Sequence, residues 1–175
     1  MKYVFLLSVF LLSSGETTYD WLTKSGQKRL KKSIEQIWPE QEIVSKEILI
    51  AKDDNVSFKL SEDHYYTLHV DAQLVAYLCI TTAPSKFDVF DYAIFFNTNL
   101  SVKHVALLVY REDYGAEIGS KRWLKQFVEK SPGQDYKVSK EVDGISGATI
   151  SVRSMTNDIN LTHKRLVELR EKGII

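Results

Sequence analysis

Cysteine is nearly missing from this chain: Cys79 stands alone among 175 residues. A single thiol excludes an intramolecular disulfide, and no Cys-x-x-Cys-His run exists to hold a covalent haem. No paired Cys or His spacing fits zinc or an iron–sulfur cluster, and the four histidines, His64, His69, His104 and His163, are scattered, so no metal is assigned. Cys79 lies in the strand-like run Leu74–Ile80, where a lone cysteine is a small buried hydrophobe. Charge of one sign is missing too. The 23 basic and 23 acidic side chains cancel, and nothing in that balance suggests nucleic acid, which would want a basic face or tail. There is no repeat and no low-complexity tract, and the 44% apolar content is that of an ordinary globular domain. The length suits one domain with a real core.

One apolar run stands apart. Met1-Lys2 opens a short positive segment, Tyr3 to Leu12 is apolar except for Ser8, and Ser13-Ser14-Gly15 supplies small residues for cleavage. This is the pattern of a secretory signal peptide over residues 1–15, and it is too short to span a bilayer as a settled helix. An uncleaved interfacial anchor is the alternative. No cysteine closes the run, which argues against a lipoprotein. The expected location is outside the cytoplasm, in the periplasm or on the outer face of the cytoplasmic membrane.

The remainder divides into an N-terminal helix and connecting segment over 16–60 and a domain over 61–175. Tyr19 to Trp38 has helical periodicity, with Leu22, Leu30, Ile34 and Ile37 near one face and Lys24, Lys28, Lys31 and Lys32 largely elsewhere. Pro39 ends it. Glu42–Ala51 and Asn55–Leu60 read as short strands or loop. Four β-rich runs follow: Tyr65–Val70, Leu74–Thr82, Phe87–Asn97 and Val102–Arg111. The polar turn Asp71-Ala72-Gln73 joins the first two as a hairpin. Together they predict an antiparallel meander with one covered face. Ser120 is placed to cap a helix from Lys121 to about Glu129 that buries Trp123, Leu124 and Phe127. Tyr136–Val142 reads as a strand. A long helix runs from about Thr149 to Lys172 with Met155, Ile159, Leu166 and Leu169 on one stripe, and Gly173 closes it. The expected class is α+β: an antiparallel sheet of four to five strands with helices packed on it.

Between the last two elements lies the stretch that carries chemistry, Asp143-Gly144-Ile145-Ser146-Gly147-Ala148-Thr149, continuing into Ile150-Ser151. Small residues allow close backbone approach to a bulky ligand. A helix start offers unpaired N–H groups and the positive end of its dipole, which suit a phosphate. Thr149 adds a hydroxyl at that point. A plain helix cap at Ser146 would account for the same residues without any ligand.

This stretch resembles the flavinylation motif of the FMN-binding domain family, the domain found in the C subunit of the sodium-pumping NADH:quinone reductase and the G subunit of the Rnf complex. The resemblance extends diffusely from about Tyr65 to about Leu169. In that family the last threonine of the Ser-Gly-Ala-Thr run carries FMN through a phosphoester, which implies covalent FMN on Thr149 here. The resemblance implies a separate FAD:protein FMN transferase, using a divalent metal, as the partner that installs it. Thr149 is a poor nucleophile alone and has no histidine–acid pair beside it in sequence, so self-modification is not expected. Asp143 matches the acid that opens the motif and would serve recognition or activation by the transferase. Ser146, Gly147 and Ala148 would supply N–H groups and close approach. Ser151 either contacts the phosphate or saturates the helix end. Gly115 and Glu117, in Tyr114–Ser120, resemble the family segment that faces the flavin, although the Glu-Thr-Pro-Gly form of the respiratory subunits is not kept. Trp123 is a candidate stacking ring, though aromatic residues at helical spacing are usually core.

The function implied is an exported FMN-binding electron-transfer protein with membrane or periplasmic redox partners, a carrier and not a free-standing enzyme. Two alternatives are a secreted flavin-dependent reductase and a noncatalytic envelope binding protein without flavin.

Overall fold

The computed structural model describes residues 19–51, 54–58 and 63–175. The expected leader over 1–15 lies outside the described residues, as do parts of the expected strand at Asn55–Leu60. Helix α1 spans Lys24–Ile37, later than its periodicity begins, because the Thr23 side chain accepts from the Gly26 N–H at 3.2 Å and fixes the start there. Five strands follow: β1 Val44–Glu47, β2 His64–Val70, β3 Gln73–Pro84, β4 Val89–Phe96 and β5 Val102–Val109. All neighbours are antiparallel and lie in chain order, β1-β2-β3-β4-β5. The β2–β3 turn is tighter than the sequence indicated. Asp71 and Ala72 alone form it, both at positive φ, and Gln73 already pairs with Val70. Helix α2 is Lys121–Leu124, and α3 is Thr149–Glu171. The protein is therefore α+β, a five-stranded antiparallel sheet with a long C-terminal helix.

The meander was expected to cover one face; the structure covers both. Alternate residues of β2–β4 feed two separate cores. Tyr77, Cys79, Tyr92, Ile94 and Phe96 face α3, meeting Met155, Ile159, Leu166 and Leu169, with Trp123 and Phe127 alongside. Tyr66, Leu68, Leu78, Ile80 and Phe95 face the other way, toward Leu22 and Leu30 of the α1 segment. Strand β4 shows the cause directly. From Phe90 to Phe96 it is apolar at every position but Asp91, and every one of these residues is buried. A run apolar on both faces has to be covered twice. Thus β1, which precedes the family-like segment, joins the same sheet, and α1 packs on one of its faces.

Two other expectations are corrected. No strand forms over Tyr136–Val142, where a single bridge joins Val138 and Val142. The Tyr136 N–H and carbonyl are both taken by the Asn160 side chain of α3, at 2.8 and 2.9 Å, so no ladder is needed. The middle helix stops at Leu124, tightens into a 3-10 turn over Lys125–Phe127, and then turns extended, because the Glu129 N–H bonds the Val102 carbonyl at 2.8 Å.

Polar side chains fix α3 on the sheet. Asp63 pairs with Arg165 and accepts the Thr81 hydroxyl; Tyr92 donates to Asp158; Ser154 donates to the Pro84 carbonyl at 2.5 Å. At its far end α3 closes with paired bonds from Gly173 to Arg170 and from Ile174 to Leu169, both 2.9 Å. Among the described residues no helix is long and apolar enough to cross a membrane.

Burial pushes the Asp158 carboxyl above its ordinary range, against the lowering effect of the Tyr92 hydroxyl. A carboxyl raised in the fold favours the folded state most at acid pH and loses that contribution as pH rises through the raised value. Asp158→Asn keeps an acceptor for Tyr92 without the charge. The melting temperature of this variant is expected to exceed the parent's at pH 7 by a margin that shrinks toward zero near pH 4. An equal difference at both pH values would show that the charge is not penalised.

Candidate functional site

Three helices begin differently. Thr23 caps α1 and Ser120 caps α2, each with a side-chain oxygen on a backbone N–H. The cap position of α3 is Ala148, which has no such oxygen. Ser146 is therefore not the cap. It is exposed, two residues ahead of that position, and the Ala148 N–H turns back to the Ile145 carbonyl at 3.1 Å. The 23-residue helix thus presents its first N–H groups and dipole end without side-chain compensation.

How the chain reaches this start is set by packing. Gly147 has φ +81°, a left-handed conformation that glycine adopts without strain, and open space lies where its side chain would be. The next residue, Ala148, is buried at 4% exposure against Gly115. A Cβ on Gly115 would stand 2.5 Å from that of Ala148, and Gly115 itself sits at φ +83°. The two loops singled out in the sequence, Tyr114–Ser120 and the run ending at Thr149, therefore touch through their smallest residues. At the motif's other end, the Trp123 indole N–H donates to the Asp143 carbonyl at 2.8 Å, and the Gln126 side chain accepts from the Asp143 N–H at 2.8 Å. Trp123 is otherwise buried in the core against Phe127. It holds the motif rather than presenting a stacking face.

The hydroxyls separate cleanly. Ser151 is 2% exposed, and its oxygen lies 3.2 Å from the Tyr110 hydroxyl, which also donates to the Tyr114 carbonyl at 3.1 Å. Ser151 thus ties α3 to the end of β5, and with Tyr110 it lines the inner side of the cleft that Thr149 borders. Thr149 is exposed, and its hydroxyl has no hydrogen-bond partner among the described residues. It lines an open cleft of about 440 Å³ together with Gly147, Ile150, Phe87 and Tyr114, a size in the range of small-molecule sites.

Phe87 and Tyr114 are each 81% exposed, and Ile150 is 49% exposed. Three of the most exposed large apolar side chains thus meet around one threonine. Glu112 positions the Phe87 turn by accepting from the Ser85 hydroxyl at 2.5 Å and from the N–H groups of Phe87 and Asp88 at 2.7 and 3.2 Å. The Ser85 hydroxyl, then the Phe87 N–H, hold its carboxyl below the usual range. The Lys86 ammonium lies 4.7 Å from the Phe87 ring centre.

Of the residues expected from sequence, Gly115, Gly147, Ala148, Thr149 and Ser151 come together. Asp143 and Ser146 lie on the approach with exposed side chains, and Glu117 is exposed and does not line the cleft. Phe87, Tyr110, Glu112 and Tyr114 were missed. Their signal was weak: a ring after the Pro84-Ser85-Lys86 break, and another directly before Gly115. Among the described residues no three His, Cys, Asp or Glu side chains gather as a metal site.

Residues 89–162 match the family model described as the FMN-binding domain. The match begins with β4 and runs through Thr149 into α3, so it contains the motif but not α1 or β1–β3. No curated protein matches the chain.

Gly115→Ala is expected to destabilise the protein by about 1–3 kcal/mol, the usual cost of a disfavoured backbone conformation, with the Ala148 clash added. Adding Ala148→Gly should recover part of the loss by removing that clash. Thermal melts of the single and double variants check this; no recovery would mean that the loops are not in contact.

Proposed function

We propose, from the match of residues 89–162 to the FMN-binding domain family, that this chain is an exported electron carrier whose FMN is esterified to Thr149. The observation that carries the attachment is the contrast between two neighbouring hydroxyls. Thr149 is exposed, and unbonded among the described residues, at a helix start with no side-chain cap, whereas Ser151 is buried and bonded to Tyr110. A phosphate on the Thr149 oxygen lies beside the first N–H groups of α3, which favour its charge.

The residues around the cleft fit the rest of the group. Phe87, Tyr114 and Ile150 offer apolar surface for a flat ring that is otherwise left to water. The flavin supplies the redox chemistry when bound. The chain's own part is to tether it, to present one edge of the cleft to solvent, and to set a cation, Lys86, at the rim. An open cleft lets electrons pass to and from protein partners at the membrane or in the periplasm. The same openness leaves little to grip and orient a small substrate, which favours a carrier over a reductase or another enzyme.

Attachment needs a second protein. Thr149 supplies the oxygen; the FAD:protein FMN transferase, with its divalent metal, brings FAD. The new Thr149 O–P bond forms as the pyrophosphate bond of FAD breaks and AMP leaves. Among the described residues no side chain hydrogen-bonds the Thr149 hydroxyl, so the base that takes its proton is assigned to the transferase. Asp143, exposed and with its backbone pinned by Trp123 and Gln126, is the residue this chain offers for recognition. A permanent bond suits an exported protein, which cannot replace a lost cofactor from cytoplasmic FMN.

Protein produced with the transferase is expected to show flavin fluorescence in a denaturing gel, and protein produced without it none. Thr149→Ala should remove the band, Ser151→Ala should keep it, and Asp143→Asn should weaken it. A fluorescent Thr149→Ala band would overturn the assignment of the attachment residue. A dark parent band would favour the envelope binding protein without flavin.

A further inference from the structure

We propose that the groove between α1 and α2, along the outer side of β5, docks an extended segment of a partner protein that alternates carboxylate and apolar side chains. The groove has a volume of about 410 Å³. Arg29 and Lys32 line it from α1, Lys121 and Lys125 from α2 and the turn after it, and His104 from β5 between them. Among the described residues no Asp or Glu lines it. In a chain whose charges cancel overall, this concentration is a matter of placement, not composition. None of these four cations takes part in an ion pair among the described residues. Arg29 donates to the Leu108 carbonyl at 3.2 Å, which leaves its charge uncompensated. Burial and then the Lys121 charge push the His104 imidazole down, so it stays neutral near pH 7 beside its charged neighbours. Uncompensated cations around a concave, partly apolar site focus a positive field on whatever enters.

The shape selects among anionic occupants. The floor is apolar, built from Val105, Ala106, Leu107, Leu124 and Val128. The cations stand on two walls, where a planar anionic membrane would touch the rims and leave the floor empty. A single inorganic anion would leave most of the groove empty. An extended peptide presents its side chains alternately to opposite sides, so acidic residues can meet the walls while apolar ones meet the floor. The location suits such a segment: β5 is the last strand of the sheet. Its start is occupied by Glu129 and Lys130, and the Leu108 carbonyl by Arg29. Among the described residues no strand covers the stretch between. This inference is independent of the flavin on Thr149.

The test uses a fluorescein-labelled hexapeptide of alternating Glu and Val, titrated against the whole chain by anisotropy at low salt. Saturable binding that weakens as salt rises is expected. Lys32→Glu/Lys125→Glu should weaken it at least about tenfold, because like charges now face the peptide, while the charge-matched pair Lys46→Glu/Lys140→Glu, outside the groove, should change it less than about twofold. Circular dichroism establishes that both variants are folded; Lys32→Gln/Lys125→Gln should give a smaller loss in the same direction. Absence of saturation, equal losses in the two charge-reversed pairs, or equal binding of a Lys–Val peptide would overturn the proposal. So would binding to phosphatidylglycerol vesicles that the groove variant abolishes while the Glu–Val peptide stays unbound, since the groove would then serve a lipid surface.

Discussion

The close contact between Gly115 and Ala148 is the constraint on which the site depends. It brings the loop after β5 against the loop before α3, with no room for a side chain between them. Ala148 is fixed by that contact and becomes a cap position that cannot cap. Thr149 then follows as the first helical residue, facing the cleft, while Ser151 is drawn inward to Tyr110. A larger residue at either position would move the helix start. The separation of one reachable hydroxyl from one buried hydroxyl would be lost with it.

The rest of the fold serves to make that contact rigid. The sheet is apolar on both faces and is covered by α1 on one and by α2 and α3 on the other. The Asp63–Arg165 ion pair, the Tyr92 hydroxyl on Asp158 and the Ser154 hydroxyl on the Pro84 carbonyl fix α3 against the sheet. Trp123 and Gln126 hold the motif's entry. A rigid frame lets the cleft itself stay open, with Phe87 and Tyr114 exposed at its margin. Exposed rings of this size are costly to leave in water, and their convergence on Thr149 is what a planar apolar group would relieve.

Much of this was legible in the residues, and the reasons differ from place to place. The long final helix was readable because Met155, Ile159, Leu166 and Leu169 repeat at helical spacing and Gly173 closes it. The motif was readable because Gly147 takes a left-handed backbone, Ala148 is small where it meets Gly115, and Thr149 carries a hydroxyl. Strand β4 was readable as a strand, but its apolar residues on both faces were not weighed, so the second covering layer was missed. Tyr136–Val142 misled because its alternation is real, while its backbone is satisfied by Asn160, a partner 24 positions away in the chain. Glu117 was chosen by likeness of segment; it sits in the 3-10 turn over Ala116–Gly119 and does not line the cleft. Phe87 and Tyr114 could not be ranked from sequence, since an exposed ring and a buried ring look alike until the sheet is assembled.

The central claim is that one oxygen, that of Thr149, bears the riboflavin phosphate. Tryptic cleavage after Lys140 and Arg153 releases a peptide, residues 141–153, that contains Ser146, Thr149 and Ser151 together. Fragmentation of this peptide from protein made in its native host tests the claim most directly. The account predicts that every fragment containing Thr149 carries the added mass of FMN less water and that fragments ending before it do not. Modification on Ser146 or Ser151, or an unmodified peptide, would contradict it.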